Sequence, residues 1–189
     1  MSERRELEPR DAVRMLAPGA LALLTTMHRQ QPNVMTVGWM MPISLSPVRI
    51  GVAIHPGRLS HHFLTKTEIF TLNIPTVDLL AAVHRCGMVS GRDEDKVLET
   101  GLTLVEGRVH DAPTIAEAVA TIACGVRDRI SLGDHDLFVA DVLEVAAVAE
   151  AFDGRWLVET DAGRVLHHLG GEHYAGLGRP YRAALRTEE

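Results

Sequence analysis

Short runs of apolar residues separated by polar turns dominate the first half of the chain. These runs are rich in β formers, and the tetrapeptide Arg29-Gln30-Gln31-Pro32 between the first two is typical of a hairpin turn. The pattern predicts four strands, over residues 21–27, 34–43, 48–54 and 69–74.

Helical signals are fewer and shorter. Residues 1–18 predict a short helix, and residues 60–66 predict a second. Thr76 is suited to the N-cap of a third helix, because apolar residues follow it at helical spacing. The charged stretch 90–101 ends at Gly101, a residue that commonly stops helices.

Two long segments with a β-like pattern, 119–130 and 137–148, follow and are joined by the polar residues 131–136. The valines of the second also fit helical spacing, so the pattern alone leaves both structures open there. Many strands with few short helices indicate a barrel or a sandwich, and the strand–helix alternation of a doubly wound parallel sheet is missing. We therefore expect a mainly β fold with helical inserts in one domain, 1–189, whose core covers about 20–178 between an N-terminal helix and a C-terminal tail.

Charge and cysteine usage exclude several classes of function. The chain has 189 residues and a formal net charge of −6, which repels nucleic-acid phosphates, and no basic run offsets it. The charged N-terminus lacks the apolar core of a signal peptide, and no apolar stretch is long enough to span a membrane. We therefore expect a cytoplasmic protein that binds neither nucleic acid nor membranes. Cys86 and Cys124 lie far apart, which argues against a disulfide framework or a thiolate zinc site.

The segment from His55 to Ser60 ends a predicted strand and opens a predicted helix. Gly57 permits an unusual backbone angle, and Ser60 is suited to the N-cap, which leaves free N–H groups for an anion. Arg58 offers a planar guanidinium suited to phosphate. The segment predicts either a small phosphate-binding corner or an ordinary strand–helix connection whose arginine faces water.

Two further segments carry polar side chains that could meet a ligand. The polar groups of Asn33 and Thr36 could contact the edge of a heterocycle, although a buried strand with a packed Trp39 is the simpler explanation. In the segment from Ser90 to Lys96 the lysine could reach a phosphate, although a capped, solvated helix start is the simpler explanation there.

The ten histidines do not form a metal-binding pattern. Adjacent residues of a strand point to opposite faces, so the pairs His61-His62 and His167-His168 are poorly suited to one metal. No HExxH or Cys/His finger spacing is present, and we expect no metal site. His135, before a predicted strand, is better placed to hydrogen-bond a ligand. The sequence also lacks a GxGxxG turn, a P-loop and a GxSxG elbow, which argues against Rossmann cofactor binding, ATP hydrolysis and serine hydrolysis.

Several short pieces of the chain, taken together, resemble the flavin reductase-like domain family, and its flavoredoxin-type members most closely. Each piece is weak alone, but they keep the family's order from about residue 20 to residue 178. The pieces are 33–39, 54–60, 70–75, Cys86-Gly87, 90–93, Asp95-Lys96, 133–138 and 174–178.

The resemblance implies a split β-barrel that works as a homodimer and binds FMN near the dimer interface. It implies that residues 33–39 lie along the flavin and that the Arg58 corner binds its phosphate. Lys96 and His135 match positions close to the flavin, and His168 belongs to a C-terminal segment that approaches it. Under this resemblance the phosphate-binding interpretation of the corner becomes the favoured one.

The chain departs from the family at Leu59, where an aromatic residue is common, at His168, and over residues 152–165. These departures concern the substrate side of the flavin more than flavin binding. The cofactor-binding residues that follow from the resemblance are Asn33, Met35, Thr36, Val37, Trp39, His55, Arg58, Ser60, Ser90, Arg92, Lys96, His135 and His168.

The implied activity is that of an oxidoreductase which passes electrons from NAD(P)H, or from a redox protein, through FMN to an acceptor. A cation or N–H donor such as Lys96 or His135 would stabilise negative charge on the reduced flavin. Two alternatives stay open: an electron carrier without NAD(P)H turnover, and a split-barrel protein that binds another ligand.

Overall fold

The structure of the protein is a computed structural model that describes residues 8, 11–16, 19–107 and 112–183. Strands are more abundant than helices in these residues, and none of their helices is long and apolar enough to cross a membrane. The α-helices are α1 (Asp11–Leu16), α2 (Leu59–Thr67), α3 (Leu80–Met88) and α4 (Lys96–Thr100). The strands are β1 (Ala22–His28), β2 (Gln31–Val37), β3 (Met40–Leu45), β4 (Val48–Ile54), β5 (Ile69–Ile74), β6 (Leu104–Val105), β7 (Thr114–Ile115), β8 (Ala120–Leu132), β9 (His135–Ala147), β10 (Leu166–Gly170) and β11 (His173–Gly176).

Seven of the described strands form one antiparallel sheet in the order β2-β1-β5-β8-β9-β4-β3. β2 and β3 are consecutive in the chain, yet they lie at opposite edges of this sheet. Because only Gly38 and Trp39 connect them, the two edges must meet at that point, and the sheet curls into a barrel. The predicted strand over 34–43 is therefore wrong in its extent: the chain leaves one edge at Gly38 and begins the other at Met40.

The long hairpin of β8 and β9 confirms the strands predicted over 119–130 and 137–148, where the pattern also allowed a helix. Gly133 adopts a φ of 65° in its tight turn, a conformation that glycine takes without strain. Buried and half-buried residues alternate at the start of β9, because successive side chains of a strand point to opposite faces. His135 is the first residue of β9, so the turn fixes its direction.

Apolar side chains from the central strands fill the barrel. Phe70 of β5 and Phe138 of β9 are 0% and 1% exposed and belong to the larger core cluster. A second cluster packs Val83 and Cys86 of α3 against residues of β1 and β2. Burial of this apolar face holds α3 beside β2, where the two elements form opposite sides of a cleft.

The ends of the helices differ in part from the predictions. α2 is confirmed, but Ser60 is not its N-cap, since Arg58 occupies that position without a side-chain cap bond. Thr76 precedes a short 3-10 turn and makes no side-chain cap bond either. The charged stretch is helical only at its end, where the Asp95 carboxylate accepts from two N–H groups of the first turn. Gly101 stops this helix with a φ of 67°, as predicted.

The C-terminal residues pack beside the barrel as the small hairpin of β10 and β11. The backbone N–H of Leu21 donates to the carbonyl of Leu166 at 3.0 Å, and Ala20 pairs with His167. The hairpin is thereby fixed next to the start of β1, which brings Gly171 and Tyr174 to the same cleft.

Candidate functional site

An open cleft of about 500 Å³ lies between β2, α3 and the C-terminal hairpin. β2 contributes Met35, Thr36 and Val37 to it, and the link from Gly38 to Trp39 continues this surface. Histidines aside, Arg58 is the one charged side chain among the described residues that line the cleft. The cleft therefore suits a largely uncharged ligand with one polar end.

Aromatic rings stack where the cleft borders β9. The Trp39 indole lies against the His135 imidazole with ring centroids 4.6 Å apart, and His55 meets the same imidazole edge-on at 5.4 Å. Nδ1 of His135 lies 2.8 Å from Oδ1 of Asp134, and this hydrogen bond holds the pKa of the Asp134 carboxyl below its usual range. Stacking and hydrogen bonding together fix the orientation of the His135 ring.

A tyrosine–histidine pair stands where the cleft borders α3 and the C-terminal hairpin. Nδ1 of His84 on α3 lies 2.9 Å from the hydroxyl oxygen of Tyr174 on β11, and the rings meet edge-on at 5.8 Å. The His168 ring packs against Tyr174 at 5.2 Å. Burial, assisted by the charge of Glu172, raises the pKa of Tyr174, so the phenol stays protonated at neutral pH.

A narrow polar chamber of about 50 Å³ continues the cleft, and the two share Met35, Thr36 and Arg58 in their linings. Inside it, Nδ2 of Asn33 donates to Oγ of Ser60 at 2.7 Å, so this hydroxyl is engaged with β2 and does not cap α2. None of the described residues that line the chamber is acidic.

Gly91 accommodates the Asn33 side chain at the wall of the chamber. A Cβ atom at this position would lie 2.1 Å from Oδ1 of Asn33, far inside van der Waals contact. Ser90, beside it, lines the chamber, and its Oγ accepts from the backbone N–H of Arg92 at 3.2 Å. A larger residue at position 91 would displace the Asn33 amide, which holds the Ser60 hydroxyl in the chamber.

Lys96 is a buried cation, 5% exposed, that lines the chamber. Its Nζ donates to the carbonyl oxygens of Cys86 and Val89 at the long distances of 3.3 and 3.5 Å. Burial lowers the pKa of Lys96, and the neighbouring guanidinium of Arg58 lowers this pKa further. No carboxylate of the described residues pairs with this ammonium, and a buried charge without a counter-ion is costly. The arrangement indicates an anion-binding site.

Arg92 supports the corner of the site from outside, because its side chain lines neither the cleft nor the narrow chamber. Its Nη1 donates to the carbonyl oxygen of Gly57 at 2.7 Å. The N–H of Gly57 in turn donates to Nδ1 of His55 at 2.9 Å. Arg92 thus holds the loop that presents Arg58 to the chamber.

A buried histidine–carboxylate pair joins the first turn of α2 to β9. Nε2 of His61 lies 2.8 Å from Oδ2 of Asp136, and Nε of Arg129 lies 3.7 Å from the same oxygen. The hydrogen bond with His61 is the largest cause that holds the pKa of Asp136 below its usual range. The pair fixes the start of α2 relative to β9, the strand that carries His135. The start of α2 directly follows the corner at Arg58.

No three His, Cys, Asp or Glu side chains of the described residues come together as a metal site.

The structure brings the residues singled out from the sequence into one place, with Arg92 as the exception described above. Sequence reasoning missed His84 and did not single out Gly91 or Tyr174 as site residues. His84 interrupts the apolar stripe of α3, and a polar residue in that position was an available signal. The approach of Tyr174 had no local signal, because it depends on where the C-terminal hairpin docks.

Comparison with known proteins identifies the family of this chain. A sequence profile of the flavin reductase like domain matches residues 15–169. The chain belongs to the flavin reductase-like family. An uncharacterised protein of Archaeoglobus fulgidus is 38% identical to this flavin reductase-like protein over 126 residues, which cover 67% of this chain and 71% of that protein. StyB of Pseudomonas fluorescens, an NADH-dependent flavin reductase, is 30% identical over 135 residues, which cover 70% of this chain and 74% of StyB.

Solved structures of the same fold superpose on nearly the whole flavin reductase-like protein. The FMN-binding protein of Thermus thermophilus, solved with bound 1-cyclohex-2-enone, matches with a TM-score of 0.83 at 25% identity and covers 97% of this chain and 100% of that chain. The flavoredoxin of Desulfovibrio vulgaris matches with a TM-score of 0.80 at 23% identity and covers 99% of both chains. The predicted family and the predicted split β-barrel are therefore confirmed.

Proposed function

We propose that this flavin reductase-like protein binds FMN in the cleft and the narrow chamber. The observation that carries the proposal is the buried ammonium of Lys96, which has no carboxylate partner among the described residues and lines an acid-free chamber of about 50 Å³. FMN ends in a phosphate, which supplies the missing negative charge and suits a chamber of this size. Its flat ring system suits the mainly apolar cleft of about 500 Å³.

The residues of the chamber would hold the phosphate by charge and hydrogen bonding. Lys96 and Arg58 supply positive charge, and Ser60 and Ser90 supply hydroxyl groups. Gly91 leaves room for the Asn33 side chain, which positions the Ser60 hydroxyl in the chamber.

The residues of the cleft would orient the ring and exclude water from it. The Thr36 hydroxyl donates to the carbonyl oxygen of Val83 at 2.5 Å, which ties α3 to β2 and fixes the width of the cleft. Trp39 and His135 offer an aromatic surface for the ring. When bound, FMN would supply reversible hydride and electron transfer, a chemistry that the described side chains of the cleft do not provide.

We infer that NAD(P)H is the electron donor. The likeness to StyB, an NADH-dependent flavin reductase, supports this assignment. The chain has no GxGxxG turn to hold a dinucleotide tightly, and the cleft is open, so a nicotinamide nucleotide would bind briefly. The competing function is an electron carrier that a redox protein reduces.

Visible absorption of the purified protein after addition of FMN and desalting tests the proposal. We expect a retained two-band flavin spectrum. Anaerobic mixing with NADH and with NADPH follows, and bleaching by either identifies a reductase, whereas bleaching by dithionite alone identifies an electron carrier. A protein that is colourless after desalting and leaves FMN fluorescence unquenched contradicts FMN binding.

We also propose that the electron acceptor is a small, neutral carbonyl compound. Arg58 lies where the cleft meets the chamber, so the ring end of the cleft offers imidazoles and apolar groups but no fixed charge among its described residues. A charged acceptor would lose hydration there without gaining a counter-ion. The related Thermus protein holds 1-cyclohex-2-enone, a compound of this class.

We propose that the protein is a homodimer whose interface includes β3. This strand lies at an edge of the sheet, and Met41, Ile43 and Leu45 on it are 51%, 43% and 89% exposed. Edge strands with exposed apolar side chains are commonly covered by another chain or segment. Because β3 begins directly after Trp39, a second copy seated on it would adjoin the cleft.

Sedimentation equilibrium is expected to give twice the mass of one chain for the wild type. Leu45→Glu places a charge in the proposed interface, and we expect this variant to be monomeric. Leu98→Glu, which changes another exposed leucine on α4, is the matched control and should stay dimeric. A monomeric wild type at micromolar concentration contradicts the proposal.

A further inference from the structure

We propose that the hydroxyl group of Tyr174, positioned by His84, is a catalytic proton donor to the oxygen atom of the carbonyl acceptor. This inference rests on the proposed binding of FMN and on the proposed class of acceptor. It assigns a chemical role to the side of the cleft formed by α3 and β11, which the binding of the phosphate and the ring leaves unused.

The geometry of the pair suits a proton donor. Nδ1 of His84 lies 2.9 Å from the Tyr174 hydroxyl oxygen, and both residues line the cleft. In the tautomer with a proton on Nδ1, the imidazole donates to the phenol oxygen, so the phenol hydrogen is free to point into the cleft. The packing of His168 against the same ring restricts its motion further. The pair is therefore preorganised by two separate elements of the fold.

The surroundings of Tyr174 keep its proton available. Burial raises the pKa of this phenol, so the hydroxyl is protonated over the neutral range. No lysine or arginine of the described residues lines the cleft near it, since Arg58 belongs to the end shared with the chamber. When negative charge develops on an acceptor oxygen beside α3, a neutral group must therefore donate the proton that stabilises it. Tyr174 is that proton donor.

The reaction with a conjugated enone balances as follows. Reduced FMN, when bound, would supply a hydride that forms a C–H bond at the β carbon, while the π electrons would shift through the α carbon to the carbonyl oxygen. The Tyr174 O–H bond breaks and its proton bonds to that oxygen, which gives the enol, and the enol rearranges to the saturated ketone. Bound FMN would lose two electrons and the enone would gain two, and the Tyr174 phenolate would regain a proton from solvent through His84.

The test compares the FMN-loaded wild type with Tyr174→Phe, which removes only the hydroxyl group. Tyr181→Phe makes the same change at an 89% exposed residue and is the matched control. Titration of the oxidised proteins with cyclohex-2-enone, followed by the flavin absorbance, is expected to show about fivefold weaker binding to Tyr174→Phe, since a hydrogen bond contributes about 1 kcal/mol.

The second measurement reduces the bound flavin with light and mixes the protein anaerobically with cyclohex-2-enone. We expect flavin reoxidation to be about 100-fold slower in Tyr174→Phe, the scale of general acid catalysis. In the wild type this rate should fall as the pH rises through the pKa of Tyr174, and the variant should lack that fall. His84→Ala should slow the same step, and His84→Asn, whose amide can donate from a similar place, should restore part of the rate.

Tyr181→Phe is expected to match the wild type in enone binding and in reoxidation by the enone. Equal enone binding and equal enone reoxidation in Tyr174→Phe and the wild type would overturn the assignment. A reduced wild type that does not react with the enone at all would overturn it too. In both cases a retained flavin spectrum shows that FMN binding stands, whereas a lost spectrum contradicts the proposed function itself.

Discussion

Lys96→Met is expected to weaken FMN binding by about 10- to 100-fold, because a hydrogen bond to a charged group contributes about 1.5–3 kcal/mol. The change removes the buried ammonium and keeps a side chain of similar length and volume. The measurement is the Kd for FMN from fluorescence quenching. Lys66→Met, which removes an exposed lysine of α2, is the matched control and should bind FMN like the wild type.

The same variant should make the FMN-free protein more stable in urea. The wild type buries the charge of Lys96, and only two long contacts to carbonyl oxygens offset the free-energy cost of removing this charge from water. Methionine carries no charge and avoids that cost. Because burial lowers the pKa of Lys96, the unfolded state binds more protons between this lowered pKa and the ordinary lysine value of about 10.4. The free energy of unfolding of the wild type should therefore rise with pH in that range, and Lys96→Met should lack the rise. Unchanged FMN affinity, or a loss of stability at neutral pH, would contradict the assignment of Lys96 to an anion site.

Phe138→Ala is expected to lower the free energy of unfolding by about 3–5 kcal/mol, the usual cost of removing a buried phenylalanine ring. Phe138 is 1% exposed on β9, and its ring meets the His61 imidazole edge-on at 5.2 Å. The substitution therefore opens a cavity in the core and removes support from the first turn of α2. Urea denaturation of the FMN-free protein measures the effect.

Phe152→Ala provides the comparison for that variant. Its ring is 42% exposed and contacts the Trp156 indole edge-on at 5.3 Å, so the same chemical change removes much less buried surface. We expect the free energy of unfolding to fall by less than about 1.5 kcal/mol, the contribution of one aromatic contact. Equal losses in the two variants would mean that the barrel interior does not dominate stability.

Local patterns were sufficient for most of the fold. Alternation along β9 and the turn at Gly133 both act within a few residues, so the sequence predicts the β8–β9 hairpin. The same holds for Gly101, whose left-handed conformation ends α4. The sequence could not show the break at Gly38, because apolar residues continue across it and only the closing of the barrel separates β2 from β3.

The site was predictable where one segment carries it and not where distant segments meet. The stretch from Asn33 to Trp39 is continuous, and its polar and aromatic residues could be recognised together. Ser60 was expected to cap a helix, but its partner Asn33 lies 27 residues away in the sequence. His84 and Tyr174 are 90 residues apart, and no periodicity relates positions at that distance.

The strand order has a consequence for how the protein is made. β9 is the neighbour of both β8 and β4, so without it the sheet separates into a four-stranded piece, β2-β1-β5-β8, and a two-stranded ribbon, β4-β3. On the ribosome β9 is the last of these seven strands to emerge, and until then the ribbon has no sheet to join. The pairing of β4 with β9, for example of Arg49 with Asp141, joins residues that are far apart in the sequence. Such long-range pairing is slow to form. The growing chain therefore carries exposed strand edges until β9 is complete, the condition under which nascent β proteins depend on chaperones.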